Sequence, residues 1–294
     1  MRDFLLGTDW GTDCDDAVAV RILCRAAKRN RIRLKGIVIN HCMEHSAASM
    51  DGFLNCEGVH GIPLGLDKTA VDYGGEETYQ KRLAAFAREY PDNAAAEDAV
   101  RLYRRILAES EEKLEMVEIG FLQAAAGLLE SGADDISPKS GRELVAEKVS
   151  KAWVMGGQWD KNPGKEYNFS HTGKACAAAA VFCREMPVPV TFLGLEIGRN
   201  VISGGELKRD DVLYRILCDH GSRGGRPSWD PMLAQLALAG QAAAAGYDTV
   251  AGTARVDPAT GENFFAPSES GRHTYVVKRL PDGEYERRLN LLIG

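Results

Sequence analysis

Residues 3–20 read "DFLLGTDWGTDCDDAVAV", and the fold is decided there. "DFLLGT" (3–8) is a short apolar run of the kind that forms a buried strand. Ala17, Val18, Val20, Ile22, Leu23 and Cys24 follow with apolar coverage on more than one side, which predicts a helix over 16–29. "LKGIVIN" (34–40) reads as a second strand. Strand, helix and strand within 40 residues make a βαβ unit, and a βαβ unit implies a parallel sheet.

Working outward, the same alternation continues. Residues 46–60 read as a helix and "HGIPLGL" (60–66) as a short strand or extended turn. Helices are expected over 77–90 and 95–113. "LEMVEIG" (114–120), "KAWVMGG" (151–157) and "VPVTFLGLE" (188–196) read as strands. "FLQAAAGLLES" (121–131), "GKACAAAAVFCREM" (173–186) and "MLAQLALAGQAAAA" (232–245) read as helices, the last fed by the glycine-rich loop "DHGSRGGRPSWDP" (219–231). The last 48 residues, with "HTYVVKRLPDGEYERRLNLL" (273–292), read as a C-terminal β-hairpin region. No repeat or linker divides the chain. The expectation is one α/β domain over 1–294: an open, mostly parallel sheet with helices on both faces. Ligands of such sheets sit beyond the carboxyl ends of the strands.

The totals narrow the function. The chain has 294 residues, 45% hydrophobic and 27% charged, with a formal net charge of −6. That balance argues against a nucleic-acid partner. The one basic run, "RAAKRNRIRLK" (25–35), reads as a solvated helix end and strand start. There is no N-terminal signal region and no apolar run long enough to span a membrane, so no membrane partner is expected. Seven cysteines without CxxC spacing suit free thiols in a reducing cytoplasm and argue against a structural zinc site.

The chemistry lies in Asp9, Asp13, Asp15 and Asp16, four carboxylates with no lysine or arginine between them. Asp13 suits a helix cap near Cys14, with Asp16 reaching back as in a capping box, and both suit the positive end of the helix dipole. That account leaves Asp9 and Asp15 unexplained. Several oxygen ligands of high charge are what a hard divalent cation requires. An EF-hand counted from Asp9 would need Gly and Glu where Cys14 and Val20 stand, and a "DxDGT" start fails at Gly11. Asp230 stands at a loop-to-helix junction before Pro231, where an N-cap is the alternative to a metal ligand. In "VMGGQWDKNPGKEYNFSH" (154–171), an extended "EYN" would point Glu166 and Asn168 to one side, suited to sugar hydroxyls.

Together these segments resemble the inosine–uridine-type nucleoside hydrolases. The family's "DxDPGxDDA", "GPLTNLA", "GG…N…EFN" and "HDP" or "WDP" elements have counterparts in order: "TDWGTDCDDA", "IGFLQAAAG", "MGGQWDKNPGKEYN" and "SWDP", across residues 8–231. The resemblance implies calcium-dependent hydrolysis of the N-glycosidic bond of a ribonucleoside or related N-riboside. An aspartate of the first loop takes a proton from the attacking water, and carboxylates favour an oxocarbenium-like transition state. It implies Asp9, Asp16, Asp230 and the Gln123 carbonyl as calcium ligands. Asp15, Glu166 and Asn168 would bind sugar hydroxyls. A cytoplasmic homodimer or homotetramer is implied as well.

The departures from the family pattern are specific. Counted from Asp9 against "DPGxDD", the first loop is two residues longer and Asp13 lies in the extra part, which leaves the catalytic base open between Asp9 and Asp13. "TN" is "QA", and Asp160 replaces a sugar-binding asparagine. Trp229 replaces the histidine of purine-cleaving members, and an indole cannot act as a general acid near neutral pH. Trp229 would stack on a flat leaving group or pack on the core. His41, His45, His171 and His220 are the other local candidates for protonating the base. Two alternatives stand beside the hydrolase: a metal and ribose binder without chemistry, and a phosphoesterase, which the scarcity of basic residues near these loops disfavours.

Overall fold

The computed structural model of the protein describes all 294 residues. The strands are β1 (Arg2–Thr8), β2 (Ile32–Ile39), β3 (Leu64–Leu66), β4 (Glu97–Asp98), β5 (Leu114–Glu118), β6 (Val149–Met155), β7 (Val190–Leu193), β8 (Ile202–Ser203), β9 (Arg226–Pro227), β10 (Tyr247–Val256), β11 (Asn263–Pro267) and β12 (His273–Lys278). Ten form one sheet in the order β11-β10-β12-β7-β6-β5-β1-β2-β3-β4. Every pair from β12 to β4 is parallel, and only β10 runs antiparallel to its neighbours β11 and β12. β8 and β9 pair separately as a small antiparallel ribbon.

Strand side chains alternate between faces, so β1 feeds two cores. Phe4 and Leu6 join the larger cluster, with helices Asp15–Lys28, Ser46–Cys56, Trp229–Ala239 and Asp282–Ile293. Leu5 joins the second, with helices Ala99–Glu109, Gln123–Glu130, Gly141–Lys148 and Gly173–Glu185. The parallel sheet with helices on both faces is therefore as the sequence predicts. No helix is long and apolar enough to cross a membrane.

The structure corrects several boundaries. Helix is confined to Gln80–Ala84 within 77–90, because Asp51 Oδ2 accepts the backbone N–H groups of Arg88, Glu89 and Tyr90 and turns the chain. The helix expected over 95–113 is Ala99–Glu109, capped by Asp98, which accepts from Arg101 N at 3.0 Å. The C-terminal hairpin region is present as the antiparallel pair β10 and β11, but within 273–292 the expected hairpin is replaced by β12 and the helix Asp282–Ile293. "LPDG" there starts a helix after Pro281, and Tyr285, Leu289 and Ile293, spaced by four, bury one stripe.

Candidate active site

The carboxyl ends of β1, β5, β6 and β7 open on one cavity of about 350 Å³, lined among others by Asp9, Ile119, Met155 and Leu195. Its floor is acidic. Asp9 follows β1, and Asp15 and Asp16 open the helix Asp15–Lys28. Asp230 is the second residue of the helix Trp229–Ala239. Two helix N-termini thus meet, and Asp15 Oδ2 accepts from Asp230 N at 3.2 Å. Carboxylate oxygens of Asp15, Asp16 and Asp230 lie within 4.8 Å of one another. Asp16 Oδ1 also accepts from the Thr8 hydroxyl, and Asp9 Oδ2 from the Thr12 hydroxyl at 2.6 Å. Gly120 backs Asp9 so closely that a Cβ there would lie 2.2 Å from Asp9 N.

All four carboxylates are at least 95% buried, and none forms an ion pair with lysine, arginine or histidine. Burial, and then repulsion from neighbouring carboxylates, holds Asp15, Asp16 and Asp230 well above the usual carboxylate range. Burial pushes Asp9 up to about 7, opposed by its bond from Thr12. A set of hard oxygen donors without internal counter-charge fits a divalent cation such as calcium.

The first loop is pinned to the body of the fold. Trp10 is fully buried between Phe53 and Tyr79, its indole donating to Ser49 Oγ at 2.7 Å. Tyr79 and Tyr73 hydroxyls then tie down the carbonyls of Asp13 and Thr12. Asp13 does not cap the helix: Cys14 occupies that position without a side-chain cap bond, and Asp16 turns to Thr8. Asp13 instead accepts from Cys14 N at 2.6 Å, forms an ion pair with Arg226 and stands 3.7 Å from His220 Nε2. Asp230 is not a plain cap either, since Ser228 precedes the helix.

Glu166 and Asn168 both reach the cavity wall, but not from an extended strand. Glu166 caps the short helix Tyr167–Ser170, accepting from Asn168 N at 2.7 Å, and burial raises its carboxyl to about 7. Asn168 donates to the Met155 carbonyl at 3.2 Å. Asp160 is exposed, off the cavity. Gln123 begins the helix Gln123–Glu130 and is not on the cavity wall, although Ile119, four positions earlier, is.

Trp229 lines the cavity, but its N–H is committed to the Leu195 carbonyl at 2.8 Å. Of the histidines, only His220 lines the cavity. His41 packs edge-on to Tyr73, His45 pairs with Glu77, and His171 stacks on Phe121.

The polar wall residues Thr12, Tyr73, Tyr167 and Arg226 escape the sequence reading, as does Asn40, which is off the cavity wall. Arg226 brings a cation to the wall of a pocket near which basic residues were expected to be scarce, from the ribbon strand β9 inside the expected loop. Its signal was its place three residues before Trp229. Asn40, after β2, donates its backbone N–H to Thr8 O at 2.9 Å while its buried amide has no partner. The polar end of "GIVIN" was its signal.

No protein-family model and no curated protein matches the sequence. Solved structures do match along 99% of this chain, each at 18% identity. The type III effector protein XopQ complexed with adenosine diphosphate ribose matches over 93% of its chain with a TM-score of 0.70. The effector protein XOO4466 matches over 93% with a TM-score of 0.68. The inosine-uridine preferring nucleoside hydrolase from Bacillus anthracis matches over 100% with a TM-score of 0.63. The chain has the fold of the inosine–uridine nucleoside hydrolases, as a divergent version of it.

Proposed function

We propose that the protein hydrolyses the N-glycosidic bond of a ribonucleoside or related N-riboside with the help of calcium. The observation that carries this reading is the buried acidic floor, without a cationic partner, at the strand ends of a nucleoside-hydrolase fold. Asp9, Asp16 and Asp230 would hold the ion, with the Gln123 carbonyl as the further ligand that the family resemblance adds. The ion would supply positive charge that orients the sugar diol and acidifies a water.

Asp9 is the better candidate for the base. It is buried at the strand end, whereas Asp13 is engaged by Arg226. Asp15, Glu166, Asn168 and the face of Trp229 would bind the substrate. The carboxylates stabilise the positive charge that develops on the ribosyl ring. All seven cysteines are free, which supports a reducing compartment such as the cytoplasm. Assembly as a homodimer or homotetramer belongs to the same reading and is checked by light scattering.

The test is release of free base from a nucleoside panel, with calcium and with excess chelator. Calcium-dependent release is expected. Ribose or nucleoside binding without any release would favour the non-catalytic binder, and full activity in chelator would remove the metal.

A further inference from the structure

The acidic floor favours a cationic sugar and, by the same charge, disfavours an aglycone departing with an electron pair. Trp229 does not relieve this, because its only donor is bonded to Leu195 O. Arg226 is the one lysine or arginine on the cavity wall. It emerges from β9, three residues before Trp229, and its guanidinium carbon lies 5.8 Å from the indole centroid. Nη2 is held by Asp13 Oδ2. Nε is buried with no partner, and Nη1 makes no bond to the protein while the side chain keeps 30% exposure. One edge of the guanidinium is therefore fixed, and donor capacity remains free beside the indole.

We propose that Arg226 is the leaving-group residue of this pocket: its guanidinium, set in place by Asp13, stabilises the negative charge on the departing aglycone. This rests on the ribosyl-hydrolase reading above. The water oxygen bonds C1′, and its proton goes to the Asp9 carboxylate. The C1′–N bond breaks with both electrons leaving on the aglycone. The guanidinium hydrogen-bonds an acceptor at the aglycone edge and keeps its own protons. The aglycone takes its proton from bulk water after release. Preorganised charge aimed where charge develops substitutes here for a general acid. Asp13 is a positioning residue in this scheme, acting through Arg226. Lysine would keep the charge without the planar fork, so it should serve only in part.

The experiment compares two leaving groups in wild type, Arg226→Met and Arg226→Lys. One is the best nucleoside of the panel. The other is 4-nitrophenyl β-D-ribofuranoside, whose phenolate is a stable anion that needs little help. For Arg226→Met, kcat/KM on the nucleoside should fall about a hundredfold or more, and on the nitrophenyl riboside by about tenfold at most. Arg226→Lys should recover part of the nucleoside rate. An equal fall on both substrates, or an unchanged nucleoside rate, overturns the assignment while the hydrolase reading stands. A wild type that cleaves neither substrate overturns that reading and this one together. Circular dichroism on each variant establishes that it is folded, and Arg226→Gln replaces the methionine variant if that one is not.

Discussion

The helix Asp15–Lys28 carries buried charge at two places, handled in opposite ways. Arg21, about a turn and a half along, is buried with a side-chain exposure of 4% and is fully matched. Its Nη2 lies 2.6 Å from Glu57 Oε1 and 2.7 Å from Asp211 Oδ1, and Nε donates to Glu57 at 2.7 Å. At the N-terminus of the same helix, Asp15 and Asp16 face Asp230 with no arginine or lysine bonded to any of them. Helix-dipole charge and backbone N–H groups soften the repulsion there, but they do not cancel several carboxylates. One region is balanced within the chain. The other is left unbalanced by the chain, and under the proposed function a bound cation balances it.

The comparison breaks most visibly at Asp16. Under the proposed function, Asp16→Ala should lower turnover by about a thousandfold or more, since it would remove a ligand of the ion and its share of the transition-state field. Steady-state release of free base measures this, and a variant within tenfold of wild type would refute the role.

Arg21→Met should act on stability instead. Removing one partner of a buried ion pair leaves an uncompensated charge and costs about 3–5 kcal/mol, read from urea unfolding. In chelator-treated protein, Asp16→Asn should be neutral or stabilising by the same measurement, because it removes an unmatched buried charge. If both substitutions destabilise alike, the two regions do not differ as described.

A smaller effect sharpens the contrast through pH. Asp9 has an ordinary value of 3.8 and is raised to about 7 in the folded chain, and Asp15, Asp16 and Asp230 are raised too. Between those values the folded chain keeps protons that the unfolded chain has lost. The contribution of Asp9 is therefore most favourable below about pH 4 and is lost as pH rises toward 7, and Asp15, Asp16 and Asp230 act in the same direction. His41 and His273, lowered from 6.5 to about 4 by burial, act in the opposite direction, losing stability as pH falls below 6.5. The difference in Tm with and without calcium isolates the floor, since protons and calcium compete for the same oxygens. That difference should grow from about pH 5 to pH 8. A constant or shrinking difference would contradict the assignment.

Much of this was legible in the sequence, for reasons tied to particular residues. The runs around Leu5, Val38, Val117, Val154 and Phe192 are apolar, short and bounded, and each became a parallel strand. The aspartates were visible because four carboxylates in eight positions have few structural uses. Contacts distant along the chain were not visible. The Asp13–Arg226 pair spans 213 positions, and it turned an apparent cap into a charge partner. Burial of Trp10 anchors the first loop, but an indole among polar residues gives no sign of whether it points inward. The C-terminal helix was hidden because "PDG" suits both a turn and a helix start; the spacing of Tyr285, Leu289 and Ile293 decides between them.

The central claim is that the buried floor holds a divalent cation. Its most direct test is calorimetric titration of calcium into chelator-stripped wild type and Asp16→Asn. The account predicts saturable binding of a single ion per chain in wild type, abolished or severely weakened by the substitution. No binding to wild type, or the same stoichiometry and affinity in both proteins, would contradict it.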